Sequence, residues 1–158
     1  MKVEIDQSGK VEDTAVKTVI GDSLGNVVVL RAKDKRAIQA VYRLAGIPRI
    51  YMIHVFSLLT ALVIAKTISK GAEYTIDAEY PGREDEIATL ITGFLEKLGY
   101  ADAKLPMQFL RVGKSSLAHE AAHAAFKQKG LRQHVDQAYV LKLLLPIATK
   151  KDREYVSR

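Results

Sequence analysis

The sequence predicts a mixed α/β domain, in which a three-stranded antiparallel meander is extended by two parallel strands and flanked by helices. Three short β-rich segments separated by turn residues open the chain, and each of two later β segments is followed by a helical pattern. Tight turns favour antiparallel neighbours, whereas strand–helix–strand connections favour parallel pairing with right-handed crossovers. Breakers are few, with 10 Gly and 4 Pro, so one folded domain is expected.

The opening strands follow from local alternation. Val3 and Ile5 alternate with Glu4 and Asp6 before a Ser8-Gly9 turn, which is typical of a half-buried strand. The β-branched residues of segment 14–20 predict the second strand, and residues 27–30 predict the third after a polar loop.

The rest of the chain alternates between helical and extended patterns. Asp34 is expected to cap a helix over residues 34–45, which Gly46 and Pro48 end. The later elements are predicted as an apolar helix near 50–69, a strand over 74–80, a helix over 87–98, a strand over 107–112, a helix from Ser115 or Ser116 to 129, and a helix over 136–145 that ends at Pro146.

The apolar stretch 50–65 is expected to be a buried core helix. Its 16 residues carry no formal charge, but a membrane-spanning helix needs about 20 apolar residues. The N-terminus alternates charged and apolar residues and lacks the apolar region of a signal peptide. The chain has no cysteine, which excludes disulfides, a cysteine nucleophile and cysteine-ligated metals. We therefore expect a cytoplasmic protein without a membrane partner.

The positive charge is concentrated near the C-terminus. The net charge is +6, yet residues 1–126 carry 16 basic and 15 acidic side chains, and residues 127–158 carry 8 basic and 3 acidic ones. Accordingly we divide the chain into a domain over residues 1–130 and a C-terminal helix with a basic tail over 131–158. A basic tail suits a polyanionic partner such as nucleic acid.

Acidic residues end the first and fourth predicted strands. Asp6 ends strand one, and Asp77 and Glu79, two residues apart, are placed on one face of strand four. If these strands are parallel neighbours, the three acids meet at an edge where open α/β sheets usually bind ligands. Clustered carboxylates suit Mg²⁺ or Mn²⁺ and can hold two ions for phosphodiester cleavage. The alternative is that each acid only accepts turn N–H groups.

The alanine-rich helix carries the motif His119-Glu120-Ala121-Ala122-His123. His119 and His123 share one helix face, and the spacing matches the zinc-protease motif with a glutamate general base. The further glycine and histidine of the extended motif are missing, since Phe126 and Lys129 stand at those places. The alternatives are a metal or phosphate contact in a nuclease site, and two histidines without such a role.

Basic side chains near the predicted site are candidates for phosphate contacts. For each of them the alternative is an ordinary solvated charge. The candidates for nucleic-acid binding are Lys33, Lys35, Arg36, Arg111, Lys114, Lys127 and Lys129.

This combination of element order and acids resembles the ribonuclease H-like superfamily over roughly residues 1–128. That group includes ribonucleases H, Holliday-junction resolvases, transposases and Argonaute-type nucleases. The resemblance implies that Asp6 is the strand-one metal ligand, that Asp77 or Glu79 is the strand-four acid, and that the last helix contributes His119, Glu120 or His123. The last helix of the domain lacks an Asp and the first helix lacks a Glu, so resolvase-like or Argonaute-like members are the better analogues. Similarity to resolvases implies a homodimer.

The function expected from these observations is metal-dependent hydrolysis of DNA or RNA phosphodiesters, which would be structure-specific in a resolvase-like protein. Asp6, Asp77, Glu79 and Glu120 are the expected catalytic residues, and the same acids with His119 and His123 are the expected ligands of two Mg²⁺ or Mn²⁺ ions. The alternatives are a non-catalytic nucleic-acid-binding protein on the same fold and a zinc metalloprotease. A separation of Asp6 and Glu79 above about 10 Å would exclude a shared metal site.

Overall fold

The computed structural model describes residues 1–68, 71–100, 105–130 and 133–145. Within these residues, strands and helices follow one another in an order close to the predicted one. The strands are β1 (Lys2–Ser8), β2 (Thr18–Asp22), β3 (Val27–Leu30), β4 (Glu73–Asp77) and β5 (Met107–Leu110). The helices are α1 (Ala32–Leu44), α2 (Tyr51–Ala65), α3 (Glu84–Lys97), α4 (Leu117–Lys127) and α5, which is described over residues 137–145.

The strands form one open mixed sheet in the order β3-β2-β1-β4-β5. The neighbours β1, β2 and β3 pair antiparallel, as the short turns between them require, and β4 pairs parallel to both β1 and β5. The predicted α/β class, with a three-stranded meander and two parallel strands, is therefore confirmed.

Helix α2 forms the centre of the main core. A 3₁₀ turn at Pro48–Ile50 leads into it, and 12 of its 15 residues are buried. The helical stretch Pro48–Ala65 is apolar and long enough to be a candidate membrane span, but 67% of it is buried inside the protein. The prediction of a buried core helix is therefore confirmed, because sheet and helix side chains cover this segment on nearly all sides.

The opposite face of the sheet is covered by α4 through a smaller cluster. Val19 and Val29 of the sheet pack there against Ala122 and Ala125. A Cβ on Gly21 would lie 2.8 Å from the backbone nitrogen of Ala122, so only glycine at this position lets the helix approach so closely.

Residues 133–145 share the main core with the preceding domain. Val140 and Leu144 of α5 are fully buried in it, and the Val135 N–H donates to the Val29 carbonyl. The boundary drawn at residue 130 therefore does not separate two cores in the described part of the chain. Pro146 and the basic tail lie outside the described residues.

Strand β2 and helix α1 begin at residues other than those predicted. Strand β2 begins at Thr18 because residues 11–16 form turns. Helix α1 begins at Ala32, so Asp34 lies in its first turn. There the Asp34 carboxylate accepts hydrogen bonds from Arg31 Nε and from the Gln137 backbone N–H, and it does not cap the helix.

Lys35 is buried, and its predicted contact with nucleic acid is wrong. Its side chain has no solvent exposure, and Nζ donates to the carbonyl oxygens of Lys10 and Asp13 and to Thr18 Oγ1. Burial lowers the pKa of Lys35 to about 8. This lysine joins the 11–16 turns to β2 and is not available to a phosphate.

Replacing Lys35 by methionine should destabilise the protein by about 2–4 kcal/mol, because three buried oxygens lose their donor. Urea denaturation at pH 7 measures this change. Lys33→Met is the matched control, since Lys33 is exposed on the same helix and should change stability by less than about 0.5 kcal/mol. Equal midpoints for the two variants would contradict the structural role of Lys35.

Candidate metal centre

The parallel pairing of β1 with β4 brings Asp6 and Asp77 side by side. Ile5 pairs with Ile76, and both isoleucines are buried in the main core. The next residue on each strand points to the opposite face, so Asp6 and Asp77 face the α4 side. Asp77 is the last residue of β4, but β1 continues for two residues beyond Asp6, so the prediction that Asp6 ends its strand is wrong. The two acids still lie side by side, as the sequence predicts.

Glu79 reaches the same place from a turn. Strand β4 ends at Asp77, so the prediction that Glu79 lies on the strand is wrong. The chain turns sharply there, because the Glu79 N–H donates to the Asp77 carbonyl at 2.9 Å and the Ala78 N–H donates to the Leu110 carbonyl at 3.1 Å. One carboxylate oxygen each from Asp6, Asp77 and Glu79 lies within 4.8 Å of the others, well inside the separation of about 10 Å that would exclude a shared metal site.

Hydrogen bonds hold two of the three acids in place. Asp6 accepts from the Gln7 backbone N–H at 2.8 Å through Oδ1 and contacts His119 Nδ1 at 2.9 Å through Oδ2. Asp77 Oδ1 accepts from the Val112 N–H at 2.7 Å. Both carboxylates are therefore oriented before any ligand binds.

Burial and the neighbouring carboxylates raise the pKa values of Asp6 and Glu79. The pKa of Asp6 is raised mainly by burial, with a smaller contribution from Asp77, and the His119 and Gln7 hydrogen bonds oppose this rise. Burial and then the neighbouring Asp77 raise the pKa of Glu79 to about 7. The cluster therefore favours retaining a proton near neutral pH, and a divalent cation could replace that proton.

Helix α4 brings only part of its histidine motif to the acids. The Ser116 side chain caps the helix by accepting from the Ala118 N–H, and buried alanines hold it on the sheet. His119 contacts Asp6, and the His123 ring stacks on the His119 ring at 5.6 Å between centroids. Glu120 is exposed and is not among the residues that line the acidic cleft.

The acids open into a cleft of about 450 Å³. Two of the predicted basic residues, Arg111 and Lys114, line it together with Gly113. The other exposed candidates do not line this cleft, and they are Lys33, Arg36, Lys127 and Lys129. Arg36 instead donates to the Thr14 carbonyl.

Gln7 is a cleft residue that the sequence reasoning missed. It lines the cleft but is only 7% exposed. On β1 it continues the alternating row of Val3 and Ile5, where an apolar residue is expected. A polar residue in a core row beside a candidate acid was the available signal.

The three acids could hold a metal ion, because each offers one carboxylate oxygen close to those of the others. Carboxylate oxygens suit Mg²⁺ or Mn²⁺ better than zinc, which favours nitrogen and sulfur ligands. Oxygens on opposite sides of one Mg²⁺ are about 4.2 Å apart, so small side-chain rotations would bring oxygens within 4.8 Å into coordination distance. No protein-family model, no curated protein and no solved structure matches this chain.

Glu79 should make the stability of the metal-free protein fall as the pH rises. Glu79 binds its proton more tightly in the folded protein, so its stabilising contribution is complete below about pH 4.5 and is lost as the pH rises through about 7. The pKa difference corresponds to roughly 3 kcal/mol, which solvent screening at this partly exposed carboxyl reduces to about 1–2 kcal/mol.

Urea denaturation of the wild type and Glu79→Gln between pH 5 and pH 8, with a chelator present, measures this contribution. The wild type should lose about 1–2 kcal/mol relative to Glu79→Gln over this range. Glu120→Gln, at an exposed position, is the control and should follow the wild type. Parallel profiles for wild type and Glu79→Gln would contradict the raised pKa.

Proposed function

We propose that the protein is a metal-dependent nuclease with a ribonuclease H-like fold, which hydrolyses phosphodiester bonds in DNA or RNA. The observation that carries this proposal is the convergence of Asp6, Asp77 and Glu79 within 4.8 Å near the carboxyl ends of the adjacent parallel strands β1 and β4. The sheet order and strand directions are consistent with the resemblance drawn from the sequence.

In this proposal the three acids hold one or two Mg²⁺ or Mn²⁺ ions, and His119 positions Asp6. When bound, such ions lower the pKa of water and stabilise negative charge on the phosphate and the leaving oxygen. The acids are already oriented by the Gln7 and Val112 N–H groups, which reduces the cost of arranging them around a cation.

Arg111 and Lys114 supply the charge that an acidic cleft needs to attract a polyanion. Both are exposed and line the cleft, so phosphates next to the cleaved bond would meet them first. Phosphate contacts of this kind position the substrate and are independent of sequence.

The geometry gives less support to a zinc protease. The two histidine rings lie nearly parallel, 15° apart, instead of converging on one point. Glu120, the general base of that hypothesis, is exposed outside the cleft. A non-catalytic nucleic-acid-binding protein is the alternative that the following experiments distinguish.

Asp6→Asn and Asp77→Asn should each reduce Mg²⁺- or Mn²⁺-dependent cleavage by at least about 100-fold, since each removes a charged ligand. The assay compares duplex, hybrid, single-stranded and branched substrates. Glu120→Gln, which alters an acid of the same chain outside the cleft, should retain activity within about threefold. Cleavage unchanged by Asp6→Asn would contradict the proposal, and binding without cleavage by the wild type would favour the non-catalytic alternative.

Neutralising Arg111 and Lys114 should weaken nucleic-acid binding and reduce the salt dependence of the binding constant, by about one unit of slope for each phosphate that is no longer neutralised. Fluorescence anisotropy between about 50 and 200 mM salt measures this, with Ca²⁺ added to avoid cleavage. The control removes the same charge at Lys127 and Lys129, near the far end of α4, and should change the slope less. Equal effects of the two double variants would mean that net charge alone governs binding.

A further inference from the structure

The outer face of α1 carries a row of positive charge. Lys33, Arg36 and Arg43 are exposed, and Ala40, which is also exposed, continues the row between the two arginines. Successive steps of three or four residues remain on one face of a helix, and the helical rise places Lys33 and Arg43 about 15 Å apart along the axis. These four residues form the α1 ridge.

No exposed acid offsets the charge of this segment. Residues 31–65 contain one acid, Asp34, which is 1% exposed and pairs with Arg31. Arg49 adds a further exposed cation in the 3₁₀ turn that packs against α1. In the described part of the chain, neither Arg49 nor the cations of the α1 ridge form an ion pair. Their positive charge is therefore available to an anionic partner.

The α1 ridge lies outside the acidic cleft. The inner face of α1, with Ile38 and Tyr42, is buried in the main core, whereas α4 packs on the opposite face of the sheet. No ridge residue lines the cleft. Strand β3 runs parallel to β1, because both pair antiparallel with β2, so α1 begins at the edge of the sheet where the acids lie. A polyanion can therefore contact the ridge at this edge without entering the cleft.

A nucleic-acid backbone fits this surface better than a lipid membrane. Interfacial helices insert their apolar face into the bilayer, but the apolar face of α1 is already buried in the core. A duplex carries a phosphate charge about every 1.7 Å along its axis, so a ridge of about 15 Å faces several phosphates at once. Arg36 donates from Nη1 to the Thr14 carbonyl and has further N–H groups that suit a phosphate.

We propose that the α1 ridge and Arg49 form a second nucleic-acid-binding surface, which contacts phosphates of a DNA or RNA backbone outside the cleft. Contacts of this kind are independent of base sequence. This inference goes beyond the proposed function, because binding at this surface requires neither a metal ion nor cleavage.

Fluorescence anisotropy of labelled DNA and RNA duplexes tests this surface, with a chelator present and salt varied between about 50 and 200 mM. Lys33→Gln combined with Arg43→Gln should weaken binding by roughly threefold to tenfold and reduce the slope of its salt dependence by about two, because two phosphate contacts are lost. Ala40→Lys adds a cation to the ridge and should strengthen binding by about threefold.

Each variant has a control with the same change in net charge. Lys2→Gln combined with Lys66→Gln removes exposed cations at the start of β1 and the end of α2, and Ala124→Lys adds a cation at an exposed position of α4. These controls should change the slope by less than about one. Because all these positions are exposed, every variant should unfold within about 0.5 kcal/mol of the wild type.

The outcomes separate this inference from the proposed function. Equal effects of ridge and control variants, absence of duplex binding by the wild type, or binding only to phosphatidylglycerol vesicles would overturn the second surface. If the ridge variants bind like the wild type while Asp6→Asn abolishes cleavage, the proposed function stands alone. If the ridge variants change binding as expected but the wild type cleaves no substrate, the second surface stands and the proposed function fails.

Discussion

The register between β1 and β4 is the constraint on which the rest of the site depends. These strands are separated in the chain by β2, β3, α1 and α2, and they pair with Ile5 opposite Ile76. Burial of the isoleucines places the acids that follow them on the α4 face. A shift by one residue in either strand would turn one acid into the core and one isoleucine out of it. The hydrophobic effect therefore sets the geometry of a polar site.

The protein surrounds one buried charge with hydrogen-bond partners and leaves the charges of the cleft without cationic partners. Lys35 is buried with three oxygen acceptors, which compensates much of its desolvation. Among the described residues, no Lys or Arg side chain forms an ion pair with the acids of the cleft, and the Asp6 carboxylate instead contacts the His119 ring. The first arrangement serves folding, whereas the second has a favourable use only when positive charge arrives from outside.

Much of the architecture was predictable because it follows from local patterns. Alternation and tight turns predicted the meander, strand–helix order predicted the parallel pairs, and together these correctly placed Asp6 and Asp77 on neighbouring parallel strands. The errors concern features that depend on distant contacts. Neither the burial of Lys35 under the 11–16 turns nor the sharp turn that carries Glu79 is encoded in a short window.

The histidine motif and Gln7 illustrate the same limit at the site. The spacing of His119 and His123 correctly predicted that they share one helix face. It could not show that, of the two, only His119 contacts Asp6. Gln7 was visible as a polar residue in a core row. Its burial beside the cleft depends on contacts with distant parts of the chain, which no short sequence pattern reveals.

The small cluster beneath α4 has a consequence for how the site is maintained. The acids belong to strands anchored in the large core, whereas the helix that carries His119 rests on a few valines and alanines. Local openings are cheapest where little apolar surface is buried, so we expect α4 to detach and redock while the sheet stays intact. A ligand that contacts both the acids of the sheet and His119 would then link the more stable sheet to the less stable helix. Its binding in the cleft would therefore stabilise α4 along its entire length.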